Sequence, residues 1–153
     1  MGLTMSYSSR SDIEDVFGIH NVEVWADLDG DEDSVKIASR IARAIVVADE
    51  EINDALRGGP YEVPVTRKLD GTAGVPTTLT DVSAKLAGAW VYENRRLEDT
   101  DQEAADGRVS AHGKRAREIL ADITSGKRRI DAYRQDDEIT APFVNEVTLS
   151  RDE

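Results

Sequence analysis

The sequence predicts a mainly α protein: a small bundle of about four helices, with a long loop or short β-hairpin between the second and third and an extended C-terminal arm. Three observations predict it. Apolar residues recur at the helical period in three stretches, and the longest of these stops at Gly58-Gly59-Pro60. Hydrophobic residues make up 39% of the chain but aromatic residues only 5%, so the core is one of Ala, Val, Ile and Leu, which suits helix packing better than a β-sandwich. At 153 residues the chain has one domain's length, enough to bury about 70% of its unfolded surface around a single core.

The elements follow in order. Ser11-Asp12-Ile13-Glu14 has capping-box spacing and predicts a short helix through Val16 and Phe17, ended by Gly18. Asn21 to Ala26 reads either as a second short helix or as a strand, with Val22, Val24 and Trp25 reaching the core in both cases. Between Asp33 and Arg57 apolar residues fall at 35, 38, 41, 42, 45, 48, 52, 55 and 56, and Ile37, Ala44 and Val46 widen that stripe. Lys36, Arg40, Arg43, Glu50, Asp54 and Arg57 mark its wet face, interrupted by Val47. Residues 58–76 form a connection with four glycines and three prolines, in which Tyr61-Glu62-Val63-Pro64-Val65 has extended character and Asp70-Gly71 is a turn signal. It is either a short hairpin or a loop.

A further helix starts near Pro76–Thr80, with proline for the first turn and threonine for the cap. Its stripe is Leu79, Val82, Leu86, Trp90 and Leu97, and Ala84, Ala87, Gly88 and Val91 form a small-residue face that lets another helix approach closely. Asp99 to Gly107 is polar, a loop or a frayed turn. The last helix covers Val109–Ser125 with Ala116, Ile119, Leu120 and Ile123 inward, then Gly126 as C-cap and Lys127-Arg128-Arg129 against the negative helix end. Beyond Arg134, Phe143, Val147 and Leu149 alternate with Val144, Glu146, Thr148 and Ser150 at a period of two. Such a strand pairs with residues 61–65 or adds to a neighbouring molecule.

Composition narrows the function. With no cysteine, disulfides and thiolate ligation are excluded. No apolar run approaches the roughly 18 residues of a membrane span, and Met1–Ser11 has no signal-peptide core, so no membrane partner is expected. A net charge of -12 argues against duplex binding through phosphate neutralisation. The basic runs Lys114-Arg115-Arg117 and Lys127-Arg128-Arg129 read as solvated helix ends.

Asp27, Asp29 and Asp31 fit the first, third and fifth ligand positions of a calcium loop. Glu32 stands where that loop needs glycine, however, and Ala38 where it needs a bidentate Glu. The better reading is that acids crowd the positive end of a helix and cap it. His20 and His112 lack metal-ligand spacing, and His112 falls at the boundary of an apolar stripe. No organised nucleophile, phosphate loop or dinucleotide fingerprint appears. The expectation is a protein without enzymatic activity, cofactor or metal.

The string Tyr7, Asp12-Ile13, Phe17-Gly18, Trp25-Ala26-Asp27-Leu28-Asp29, then Ala48, Ile52, Asn53 and Leu56, then Tyr61 and Pro64, and finally Ala116, Leu120, Ile123 and Gly126-Lys127 resembles a known family. These are the Mu-like phage and prophage small virion proteins, and more distantly the head–tail adaptor (head-completion or connector) proteins. The likeness covers roughly residues 5–130, and Met5-Ser6-Tyr7 looks like the family's usual start.

The resemblance implies a structural virion protein at the neck, present in the host cytoplasm before assembly. It would be a homo-oligomeric ring of about twelve copies beneath the portal protein. The ring extends the channel for passing DNA and meets a downstream tail or stopper protein. Residues 1–133 would be the helical adaptor domain, with a flexible N-terminus over 1–10 and the long loop over 58–76, and 134–153 the C-terminal arm. Tyr61, Val63 and Pro64 in the loop and Phe143, Val144, Val147 and Leu149 in the arm are then the expected oligomer or portal contacts. A soluble helical phage-encoded binding or regulatory module is the alternative.

Overall fold

The computed structural model describes residues 6–66, 74–95 and 103–135, with side chains from residue 107 onward in the last stretch. It is mainly helical, in the order α1 (Arg10–Phe17), α2 (Ile19–Ala26), α3 (Ser34–Leu56), α4 (Thr77–Glu93) and α5 (Glu103–Ser125). Among the described residues the only β pairing is an isolated antiparallel bridge between Tyr61 and Arg134.

The first helix is capped two residues earlier than Ser11 suggests. Ser9 is the N-cap and closes a capping box with Asp12, whose Oδ2 accepts from both the Ser9 N–H (2.7 Å) and the Ser9 hydroxyl (2.9 Å). Ser9 and Ser11 both stand three residues before an acid, so spacing alone could not choose between them. Gly18, at φ +91, ends α1 and starts α2 directly, and the Asn21 side-chain amide donates to the Phe17 carbonyl at 2.8 Å. Residues 19–26 are a helix, not a strand. Helical spacing puts Val22, Trp25 and Ala26 on one side and leaves Val24 55% exposed, so Val24 does not reach the core as expected.

The ends of α3 fall within one residue of expectation, with Asp33 as the cap accepting from the Val35 and Lys36 N–H groups. The buried face is rotated, however. Ile37, Ile41, Ala44, Ile45, Ala48, Ile52 and Leu56 point inward, whereas Val35 is 76% exposed and Ala38, Ala42 and Val46 are also exposed. The apolar residues at 35, 38 and 42 have the right period, but on a flank the bundle does not cover.

The hub is α4, which packs against each of the other helices. Pro76 takes the N-cap position without a side-chain cap, so Thr77, Thr78 and Thr80 lie inside the first turns instead of capping them. Gly88 is where the small-residue face matters most. A Cβ there would lie 2.0 Å from Phe17 Cε2, so α1 can seat its aromatic ring only because this position has no side chain. Phe17 then meets Trp25 edge-on at 5.7 Å, and Trp25 meets Tyr92 at 4.9 Å. Leu97 lies outside the described residues.

The last helix begins at Glu103, so the second half of the expected polar connection Asp99–Gly107 is helical. It buries Val109, Ala116, Ile119, Leu120 and Ile123, and Gly126 at φ +85 closes it, donating its N–H to the Ile123 carbonyl. His112 is the half-buried boundary residue expected, its ring edge-on to Phe17 at 5.2 Å.

Candidate functional site

Three constellations stand out from the packed body. The first is a seam between the loop after α3 and the chain after α5. Pro60, Glu62 and Thr66 exchange backbone hydrogen bonds with Tyr133 and Gln135: Glu62 N–H to Tyr133 O (3.0 Å), Tyr133 N–H to Thr66 O (3.2 Å) and Gln135 N–H to Pro60 O (2.8 Å). The Tyr61 ring is inserted beneath it, 3% exposed, with its hydroxyl accepting from the Ile130 N–H at 3.1 Å. The Arg134 guanidinium lies over that ring at 5.7 Å. Pairing with the loop over 61–65 was one alternative for the strand-like residues near 143–149, which lie outside the described residues. Among the described residues the loop pairs with the stretch around Tyr133 to Gln135.

The second is a polar cluster under the N-terminal segment. The Tyr7 hydroxyl donates to Asn53 Oδ1 at 2.5 Å and accepts from the Val65 N–H at 2.8 Å, tying residue 7 to α3 and to the loop at once. Asp49 accepts from the Tyr7 N–H (3.2 Å) and from the Ser83 hydroxyl (2.8 Å), and Ser83 bonds Ser8 at 2.7 Å. Burial pushes the Asp49 carboxyl above its usual value against these two hydrogen bonds, and burial likewise raises the Tyr7 phenol. From Tyr7 onward, therefore, the segment expected to be flexible is packed, with Tyr7 and Ser8 both buried.

The third is the acidic turn before α3. Asp29 accepts from Arg40 at 2.9 Å and lies 3.6 Å from Lys36, and Asp31 meets Lys36 at 2.6 Å. The Arg40 hydrogen bond holds the Asp29 carboxyl below its usual value, and Lys36 does the same to Asp31. Two carboxylates with calcium-like spacing are thus turned toward cations of α3. Glu32 occupies the glycine position of such a loop at φ +53. Among the described residues no three His, Cys, Asp or Glu side chains come together as a metal site.

The family described as Bacteriophage Mu, Gp36 matches residues 7–148. The chain belongs to that family. No curated protein matches it. Among the described residues no helix is long and apolar enough to cross a membrane. The Mu Gp36 match begins at Tyr7, where the quoted string begins. It runs past Tyr133, so it takes in Phe143, Val144 and Val147, which the resemblance over 5–130 left out.

Against this Mu Gp36 fold, the residues expected to make oligomer or portal contacts separate. Tyr61 faces its own core, Val63 is half-buried against it, and Pro64 is exposed. Phe143, Val144, Val147 and Leu149 lie outside the described residues. The Tyr7–Asp49–Ser83 cluster was missed. Its one local signal is polarity in the wrong place: Asp49 directly follows Ala48 of the apolar stripe, and Ser83 sits between Val82 and Ala84.

Proposed function

We propose that this protein is a head–tail adaptor: a structural, non-enzymatic virion protein that forms a ring beneath the portal, extends the DNA channel and receives the next tail component. The observation that carries the reading is membership of the Mu Gp36 family along nearly the whole chain. Three physical features support it. The described body is a set of helices packed around α4, with the polar cluster of Tyr7, Asp49 and Ser83 fastening chain segments to one another. The net charge of -12 suits a channel wall past which DNA must slide without adhering. Pro64 stands at the surface of a loop fastened to the root of the C-terminal arm, so loop and arm can act on a neighbour together.

The reading places the protein at the virion neck, with copies of itself, the portal and a tail or stopper protein as partners. The test is to mix the purified full chain with the portal of the same phage and image the products by negative stain, with mass spectrometry of purified virions alongside. Rings seated on the portal, and the chain present in virions, are expected. A chain that stays off the portal and is missing from virions overturns the reading.

A further inference from the structure

The formal charge of this protein is unevenly placed. From Arg10 to Asp33 one arginine faces nine carboxylates, whereas from Gly107 to Gln135 eight lysines and arginines face three carboxylates. The acidic pole holds a cavity of about 400 Å³ between α2 and the start of α3, lined by Glu23, Val24, Asp27, Glu32, Ser34 and Ile37. Arg10 and His20 also line it, and Arg10 is already shared by Glu14 and Glu23 at 3.1 Å each. Asp27 and Glu32 have no ion pair among the described residues, and Asp27 Oδ1 is buried with no hydrogen-bond donor. The lining thus sets three carboxylates, Glu23, Asp27 and Glu32, against one arginine, Arg10.

The basic pole ends in the exposed turn Lys127-Arg128-Arg129, whose side chains make no ion pair among the described residues. Its place in the fold decides what it can reach. Arg117 of α5 bonds Glu51 at 2.9 Å, and the Thr124 hydroxyl lies 3.4 Å from the Ala55 carbonyl, so α5 ends beside the C-terminal end of α3. The cavity sits at the other end, at Ser34 and Ile37. Ile37 and Ala55 are about 27 Å apart along α3 at roughly 1.5 Å per residue. The turn therefore cannot serve the cavity of its own chain.

We infer that the Lys127–Arg129 turn of one copy docks in the Glu23/Asp27/Glu32 cavity of the next, forming the head-to-tail contact between copies. The cationic heads meet the exposed Glu23 and Glu32 carboxylates, and the alkyl stems lie along Val24 and Ile37. Two different surfaces meet, so the contact is heterologous. Repetition gives a ring where the rotation closes and a filament where it does not. The inference deepens the ring reading and rests on it for closure.

A charge swap in the full chain tests it. One variant carries Lys127→Glu with Arg128→Glu, the other Glu23→Lys with Glu32→Lys. All four positions are exposed, and circular dichroism and thermal melts check that each variant folds. Sedimentation should show wild-type self-association that weakens with salt, and each variant alone should associate at least about tenfold more weakly. Mixed one to one, the variants should recover association, because every contact in an alternating assembly is again between opposite charges. Wild type that stays monomeric at millimolar concentration in low salt overturns the inference, as do variants that associate like wild type or a mixture that fails to recover. Portal binding is scored separately. Rings on the portal that ignore the swap sink this contact and leave the adaptor reading standing, whereas a working swap without portal binding does the reverse.

Discussion

Two neighbouring helices of this protein obey different rules. Along α4, Leu79, Val82, Ser83, Ala84, Leu86, Ala87, Gly88, Ala89, Val91 and Tyr92 are all buried, covering every side of the helix. Along α5 only one face is buried, while Lys114, Arg115, Arg117 and Glu118 stand in water. Among the described helices the backbone of α5 approaches α3 and α4, whereas α4 meets all four others. The difference lies in side-chain size. Ala, Gly and Ser around α4 let neighbours approach from all directions, whereas long charged side chains keep one flank of α5 open. A helix becomes the hub by being thin on every side.

The largest effects should show where the two helices are alike. Leu79 on α4 and Ile123 on α5 are both fully buried, so Leu79→Ala and Ile123→Ala should each cost about 2–5 kcal/mol in urea denaturation. An Ile123→Ala cost below about 1 kcal/mol would mean that α5 is loosely attached and that the inward stripe of the two helices is not equivalent.

Next in size is the close approach that only the hub makes. Gly88→Ala puts a methyl into the Phe17 ring and should cost about 1–3 kcal/mol despite the better helix propensity of alanine. Gly113 on α5 provides the control. A Cβ there meets Ala89 Cβ at 3.5 Å, ordinary contact, so Gly113→Ala should be neutral or stabilising. If both changes behave alike in thermal melts, the thin-hub account fails.

A smaller effect tests how the chain after α5 is held. Tyr61→Phe keeps the buried ring and removes the hydroxyl that accepts from the Ile130 N–H, and should cost about 1 kcal/mol. Amide exchange at Ile130 should quicken with it. Unchanged exchange would show that the backbone bonds from Glu62, Tyr133 and Gln135 hold the seam unaided.

How much of this could be read in the sequence follows the range of each interaction. The limits of α3 were legible because both are local: Asp33 caps the start and Gly58-Gly59-Pro60 blocks the end. The small face of α4 was legible as composition. The side of α3 that is buried was not, because Val35, Ala38 and Ala42 keep the same period as Ile37, Ile41 and Ala44, and only the neighbours decide between them. The burial of Tyr61 against its own chain depends on backbone near residue 130, and the Tyr7–Asp49–Ser83 cluster on three distant segments meeting. Neither leaves a periodic trace. The acidic turn was read as a helix start that also caps α3, and it is one. The cations that Asp29 and Asp31 engage, Lys36 and Arg40, had been placed on a face left to solvent.

The same contrast reaches the carboxylates of α3, and gives the smallest and most diagnostic prediction. Asp49 turns toward the hub and bonds Ser83, whereas Glu51 turns toward α5 and bonds Arg117 at the surface. Burial raises the folded-state pKa of Asp49 above the usual 3.8. Between those values the folded chain binds a proton that the unfolded chain has released. Stability from this group therefore falls as pH rises through the window just above 3.8 and recovers on acidification. Asp29 and Asp31, with lowered pKa values, act the other way and lose their contribution as pH falls, so the total curve mixes both signs. The difference between wild type and Asp49→Asn isolates the one group. The variant gives up an acceptor, because its amide nitrogen only donates and stands where one carboxylate oxygen accepts from the Ser83 hydroxyl or the Tyr7 N–H, so its absolute stability is a balance of two terms and the slope is the clean readout. Denaturation midpoints across the acid range should show wild type losing more stability than Asp49→Asn as pH rises. Parallel curves for the two would mean that the hub does not desolvate the Asp49 carboxylate it packs against.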